Sequence, residues 1–345
     1  MKPLPFVLAP VILLVALGTA ALANDTMSQL GTGGLVFLTS DKVSMESEDL
    51  TVGPEQVRVV YQFRNNGDAD EHALVAFPLP DITGDGDFMV SVPSEDPENI
   101  FGFTTTFNGE PVDVELHQYA FAYGVDQTAI LNELGVPLIP YGSAVSDALD
   151  ALAPEDQQRL RHLGMVIPME YDIGNGMETH YTAVWTLKST YTWEADFRAG
   201  ETAEVVHQYK PSVGCTVAVT FLAPPYDGED RAADYHKRYC TDDSFIEAVR
   251  KTMPNPDEPY SAPFTESWIS YVWSTGSNWS GPIKKFHLTI DKGLPGNLVS
   301  FCWDGKVTKT SPTTFEMEAR DWYPPWGREL EVLILNKHNP APNVG

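Results

Sequence analysis

Few residues of this chain are arranged for chemistry, and each candidate has a plainer structural reading. His207 lies between Val205 and Tyr209 on one face of an alternating run. An imidazole so placed is more often satisfied inside a core than used as a base, with ligand contact the alternative. Trp279 sits in the stretch 275–282, among Gly276, Ser277, Asn278, Ser280 and Gly281. That composition predicts an exposed loop, where a flat indole stacks well on a sugar ring or a proline-rich peptide. Asn278, Trp279, Trp273 and His207 therefore form the candidate ligand-contact set. Trp185 and Trp193, in alternating strand sequence, are expected in the core.

Metal patterns are weaker. Asp81, Asp85 and Asp87 alternate with Gly84 and Gly86, so their loop could wrap a hard cation such as calcium. It lacks the spacing and closing glutamate of a helix-loop-helix calcium site, and a solvated turn is the favoured reading. The acidic stretch 227–230 is judged likewise. Glu178 and His180 share one strand face without a third ligand nearby, so no zinc or iron centre is expected. The sequence holds no Gly-x-Ser-x-Gly elbow, no His-Glu-x-x-His and no phosphate-cradling glycine loop before a helix. No cofactor is implied. Carboxylate pairs for glycoside cleavage are plentiful among 48 acidic residues, which is why none stands out.

The N-terminus speaks to compartment. Lys2 precedes an apolar run over 6–17, which breaks at Gly18-Thr19 and ends in Ala21-Leu22-Ala23. A charged start, a short apolar middle and a small-x-small exit are the marks of a cleaved leader, and the run is short for a membrane span. Residues 1–23 are read as a signal peptide, with the mature chain starting near Asn24 in the periplasm or the medium. The net charge of −26 grows by one negative unit when Lys2 is lost, which disfavours nucleic acid and anionic lipid as partners. Three cysteines remain, Cys215, Cys240 and Cys302. In an oxidising compartment one pair closes. Cys240 with Cys302 is favoured, a loop of about sixty residues worth roughly 4 kcal/mol. Cys215 with Cys240 stays open as the alternative.

The elements that must hold these groups are mostly strands. Val57, Val59, Tyr61 and Phe63 alternate with polar or smaller residues, and Asn65-Asn66-Gly67-Asp68 supplies turn chemistry before a second strand over 74–77. Asn108-Gly109 is a hairpin signal. Residues 127–134, 146–152 and a stretch opening at Pro154 read as helices, with Gly135 a suitable cap. A long alternating segment puts Tyr181, Ala183, Trp185, Leu187, Tyr191 and Trp193 on one face. Residues 217–221 are a further candidate strand, 244–250 a short helix, and 253–263 an extended, proline-rich connection. Strands over 286–290, 298–303, 315–317 and 330–335 close the chain. Hydrophobic residues make up 43% of the chain, enough to fill real cores.

Several strings in order resemble a known family: Gly33-Gly34-Leu35-Val36-Phe37, Ser47-Glu48-Asp49-Leu50, Phe63-Arg64-Asn65 and Ala76-Phe77-Pro78-Leu79-Pro80. To these are added Trp193, Phe197, Gly200, Val206, His207, Tyr209, Pro211 and Gly214, then Asn278-Trp279-Ser280-Gly281-Pro282 and Leu298-Val299-Ser300-Phe301-Cys302. Together they resemble the bacterial exported family catalogued as domain of unknown function 4424. The resemblance implies pairing of Cys240 with Cys302 and an unpaired Cys215, and it implies no activity.

The expected fold is mainly β: two antiparallel sandwich-like regions, 24–124 and 166–345, joined by a helical insertion over 125–165. The expected function is that of a soluble, exported, non-enzymatic protein that binds an envelope ligand or partner, without a transmembrane segment after leader cleavage. A periplasmic hydrolase acting on glycans is the alternative.

Overall fold

The structure is a computed structural model. It describes residues 24–31, 34–85, 89–91, 93, 99–172, 174, 176–225, 228, 230–255 and 257–338. The leader expected over 1–23 lies outside them.

The fold is mainly β, as expected, but the strands on either side of the insertion are interleaved. An eight-stranded sheet has Val43–Val52 and Val57–Asn65 at its centre. Thr202–Tyr209 lies beyond them on one side, and Ile283–Asp291 followed by Thr314–Trp322 on the other. A seven-stranded sheet places Glu71–Pro78 between Thr26–Gly31 and Thr186–Phe197, with Glu115–Ala122 next. Both sheets line one core of alternating side chains, including Val59, Tyr61, Phe63, Phe77, Tyr191, Trp193, Leu288 and Ile290. Burial on one face of each pleat is what the period of two dictates. One ladder departs from the antiparallel expectation: Val43–Val52 runs parallel to Ile283–Asp291.

Asn65 explains why the turn after it does not make a hairpin. Its side chain is buried, accepting from the Gly67 N–H at 2.8 Å and donating to the Ala69 and Phe197 carbonyls. The chain thereby passes from the eight-stranded sheet to the seven-stranded one. The Asn108-Gly109 turn is a true hairpin, both residues having positive φ, 51° and 84°.

The insertion contains three helices, Thr128–Leu134, Ser143–Asp150 and Pro154–His162. They bury Leu131, Val145, Leu149 and Leu160 around Trp185 in a small core of their own. Trp185, whose Nε1–H donates to the Leu138 carbonyl at 2.7 Å, also breaks the long alternating segment in two. Met177–Ala183 pairs with Val166–Asp172 in a separate hairpin, and Thr186–Phe197 enters the main sheet.

A five-stranded sheet carries Val213–Thr216, Phe264–Tyr271, Leu330–Lys337 and Leu298–Phe301. Helices Arg231–Tyr239 and Asp243–Arg250 pack on it through Tyr235, Tyr239 and Val249. The strand expected over 217–221 is absent. The ladder ends at Thr216, Val217 is 84% exposed, and the Thr220 N–H is taken by the Glu266 carboxylate instead of a neighbouring strand. Cys240 and Cys302 form the disulfide, with Cα atoms 5.1 Å apart, and Cys215 is unpaired.

Candidate functional site

The helix Arg231–Tyr239 forms one wall of a cleft of about 480 Å³. Its sequence explains its position. The Asp230 carboxylate caps the first turn, accepting from the Ala233 N–H at 3.1 Å, while His236, Lys237 and Arg238 oppose the negative end of the dipole. At the far end Cys240 adopts φ 54° and is bridged to Cys302, just past the Leu298–Phe301 strand. The Ser300 hydroxyl donates to the Tyr239 carbonyl at 2.9 Å. The wall is thus fastened covalently to the five-stranded sheet.

Trp268 and Gly214 form the facing wall, directly opposed in register. A Cβ built on Gly214 would lie 2.7 Å from Trp268 Cε3, so the edge of the indole occupies a position that only glycine leaves open. Tyr141 and Asp85 join from the side of the insertion. The Tyr141 hydroxyl donates to the Thr83 carbonyl at 2.6 Å, and burial, above all, pushes its pKa up to about 12.

Behind the cleft stands Glu266, fully buried. It accepts from the Thr220 N–H at 2.6 Å and from the Tyr235 hydroxyl at 2.5 Å. Burial raises its carboxyl above the ordinary carboxylate range, outweighing the lowering by these hydrogen bonds. Tyr235 also lines the cleft, so the phenol links a buried acid to the ligand space. Arg238 is held by Glu331 through Nη2 at 2.8 Å and Nε at 3.1 Å, with its guanidinium 4.9 Å from the Tyr239 ring centroid. Arg231, Asp230 and Asp234 complete a lining that carries both signs of charge. The volume falls within the range of small-ligand sites, and aromatic plates with a few polar groups suit an organic molecule with polar ends.

The ligand set expected from sequence is elsewhere, and three of its four members are in the core. Trp279 is only 3% exposed; its ring centroid lies 4.5 Å from that of Phe63, and Nε1–H donates to the Asp25 carbonyl at 2.5 Å. Trp273 is equally buried, with Nε1–H donating to the Arg328 carbonyl at 2.7 Å. Asn278 is half-buried and donates to Thr26 Oγ1 at 3.0 Å. Glycine and serine give this loop an exposed composition, but residues 24–26 cover it. The structure does bring Trp279, Asn278 and His207 together, around the chain's own Asp25 and Thr26.

His207 lies 3.0 Å from Asp25 through Nε2 and 2.6 Å from Thr105 Oγ1 through Nδ1. Carboxylate, imidazole and hydroxyl stand in the order that activates an alcohol nucleophile. Asp25 and His207 are 0% exposed and Thr105 4%, so the hydroxyl faces no substrate space. Burial raises the Asp25 carboxyl, against the lowering by His207.

The acidic loop over 81–87, for which a solvated turn is the favoured reading, is described only in part. Asp81 is engaged by Lys188 Nζ at 2.6 Å, Asp85 lines the cleft, and Asp87 lies outside the described residues. Among the described residues no group of three or more His, Cys, Asp or Glu side chains could hold a metal ion. His180 meets Asp150 at 2.6 Å and stacks on Tyr171.

Arg231, Tyr235, Arg238 and Tyr141 carried no sequence signal as site residues. The Asp230 cap and the aromatic spacing of Tyr235 and Tyr239, four residues apart, were the available hints of a helix with one apolar side.

A mainly β protein with helices closing a cleft at a sheet face is the class that these features define. The chain belongs to the family described as Domain of unknown function (DUF4424), which it matches over residues 23–333. Among solved structures it is similar to a Legionella pneumophila protein provisionally described as a nutrient binding protein. The identity is 12% and the TM-score 0.45, over 91% of this chain and 70% of that one. No curated protein matches it.

Proposed function

We propose that this protein is an exported binding protein that holds a small organic ligand, polar at both ends and apolar between, in the cleft beside the Arg231–Tyr239 helix. The observation that carries the reading is the lining itself: an indole whose edge meets Gly214, a phenol tied to a buried acid, and charges of both signs around about 480 Å³. Trp268 supplies an apolar face for stacking, and Arg231 with the neighbouring aspartates orients the ends. Export is supported by the leader pattern of residues 1–23 and by the disulfide, which is characteristic of oxidising compartments. Among the described residues no helix is long and apolar enough to cross a membrane.

The test is a thermal-shift and tryptophan-fluorescence screen of the mature protein against amino acids, short peptides, wall glycans and calcium. One organic class raises the melting temperature of the native protein, and Trp268→Ala weakens its binding at least about tenfold. Undiminished binding by Trp268→Ala, or no response to any class, overturns the assignment. Turnover of a glycan would replace binding by hydrolysis as the function.

A further inference from the structure

The first residues after the leader pattern are not a tail. Asn24, Asp25 and Thr26 are fully buried, although chain ends are ordinarily exposed and frayed. The Asn24 N–H donates to Thr275 Oγ1, and the same hydroxyl donates to the Asn24 carbonyl at 2.5 Å. Asn24 Nδ2 reaches Glu48 Oε2 at 3.0 Å and the Trp273 carbonyl at 3.4 Å. With Asp25 held by His207 and Trp279, and Thr26 by Asn278, the three residues fill a receptor built from the 273–279 loop and the Thr202–Tyr209 strand.

Charge is unbalanced in that interior. Glu48 is 1% exposed and meets the Asn24 amide and the Tyr271 hydroxyl; among the described residues no lysine or arginine pairs with it. Two carboxyl groups, those of Asp25 and Glu48, share the space with one imidazole. A buried carboxylate without a counter-charge is strongly disfavoured. While Asn24 is joined to Ala23 its nitrogen is a neutral amide with one N–H, which Thr275 takes. Hydrolysis of that bond consumes one water, leaves a carboxylate on Ala23 and leaves an ammonium with three N–H donors on Asn24.

We propose that cleavage between Ala23 and Asn24 creates an α-ammonium that docks inside the protein against Thr275 and Glu48, so that leader removal completes the core. The cut itself rests on the export reading; the docking is independent of the cleft. With an amide at Asn24, burial pushes Glu48 up to about 8 and favours its neutral form at pH 7. A docked ammonium lowers it and makes the pair ionic.

The experiment uses mature protein recovered from an exporting host. Its mass and N-terminal peptide give the first residue. Reductive methylation with formaldehyde and cyanoborohydride, read by peptide mass, reports how accessible the α-amine is. The chain starts at Asn24, and its α-amine is methylated at least tenfold more slowly than exposed Lys251, becoming fully reactive in urea. Glu48→Gln raises the native reactivity. Adding Gly-Ser before Asn24 lowers the melting temperature by about 5 °C or more, a deficit that shrinks in the Glu48→Gln background. A chain starting elsewhere overturns the cut while recovery outside the cytoplasm still supports export. A start at Asn24 with an amine as reactive as Lys251, or an extension without effect, leaves export standing and overturns the docking. If Glu48→Gln does not fold, the labelling and extension results on the native sequence decide.

Discussion

Replacing both Cys240 and Cys302 by serine tests how the cleft wall is held. The bridge joins residues 62 apart. For a loop of that length the lost freedom of the unfolded chain is about 14 cal/mol/K, or about 4 kcal/mol at 25 °C. Unfolding entropy of about 2.1 cal/mol/K per residue over the mature chain converts this to a fall in melting temperature of about 6 °C. In the folded state the helix end keeps two other attachments, Ser300 to the Tyr239 carbonyl and the Arg238–Glu331 pair. Ligand affinity in the double-serine protein therefore stays within about twofold, since the loss falls on the unfolded chain. Calorimetry of the two proteins without reductant, with Cys215 the only thiol left in the variant, reads the first number, and titration with the ligand from the screen reads the second. A fall below about 1 °C refutes the entropic account. A much larger fall accompanied by lost binding refutes the claim that the noncovalent contacts suffice to seat the helix.

Two further outcomes follow from the same region. Gly214→Ala puts a methyl where Trp268 lies, so the ring must shift; we expect a cost of about 1–3 kcal/mol in urea unfolding and weaker ligand binding, and unchanged affinity would remove Trp268 from the site. Burial raises the Glu266 carboxyl above its ordinary value of 4.5, so the folded chain holds that proton more tightly than the unfolded one. Its contribution is full below 4.5 and is lost as pH rises through the raised value, so Glu266→Gln flattens the decline of urea midpoints as pH rises above 4.5; parallel curves for variant and native protein would count against this.

Strand existence was legible where alternation is strict, as over Val57–Asn65, but not over Phe264–Tyr271, and helices were legible where caps and apolar spacing agree, as over Thr128–Leu134. Partners were not, because periodicity says which face is buried and nothing about which strand lies alongside; the parallel pairing of residues 43–52 with 283–291 has no local signature. The helix Arg231–Tyr239 escaped because its sequence is polar apart from two alanines and two tyrosines, and its buried side is plain only in the structure, where Tyr235 packs on Phe221 and Tyr239 on Tyr235. The 275–282 stretch misled for the opposite reason. Small polar residues allow a loop to be exposed, but whether another segment lies over it is a tertiary fact. Cys240 with Cys302 was favoured with Cys215 left open as its rival, and implied by the resemblance, whereas the cleft was not legible, since Trp268 and Gly214 meet only through the sheet order and Tyr141 comes from a loop.

The parallel ladder between residues 43–52 and 283–291 also sets a timetable. A polypeptide crossing a membrane N-terminus first delivers Val43 more than two hundred residues before its partner strand. Until then the centre of the largest sheet has an open edge, and such edges invite wrong pairing. The eight-stranded sheet therefore cannot close until residues 283–291 arrive, and under the export proposed above the edge of residues 43–52 stays open until they have crossed.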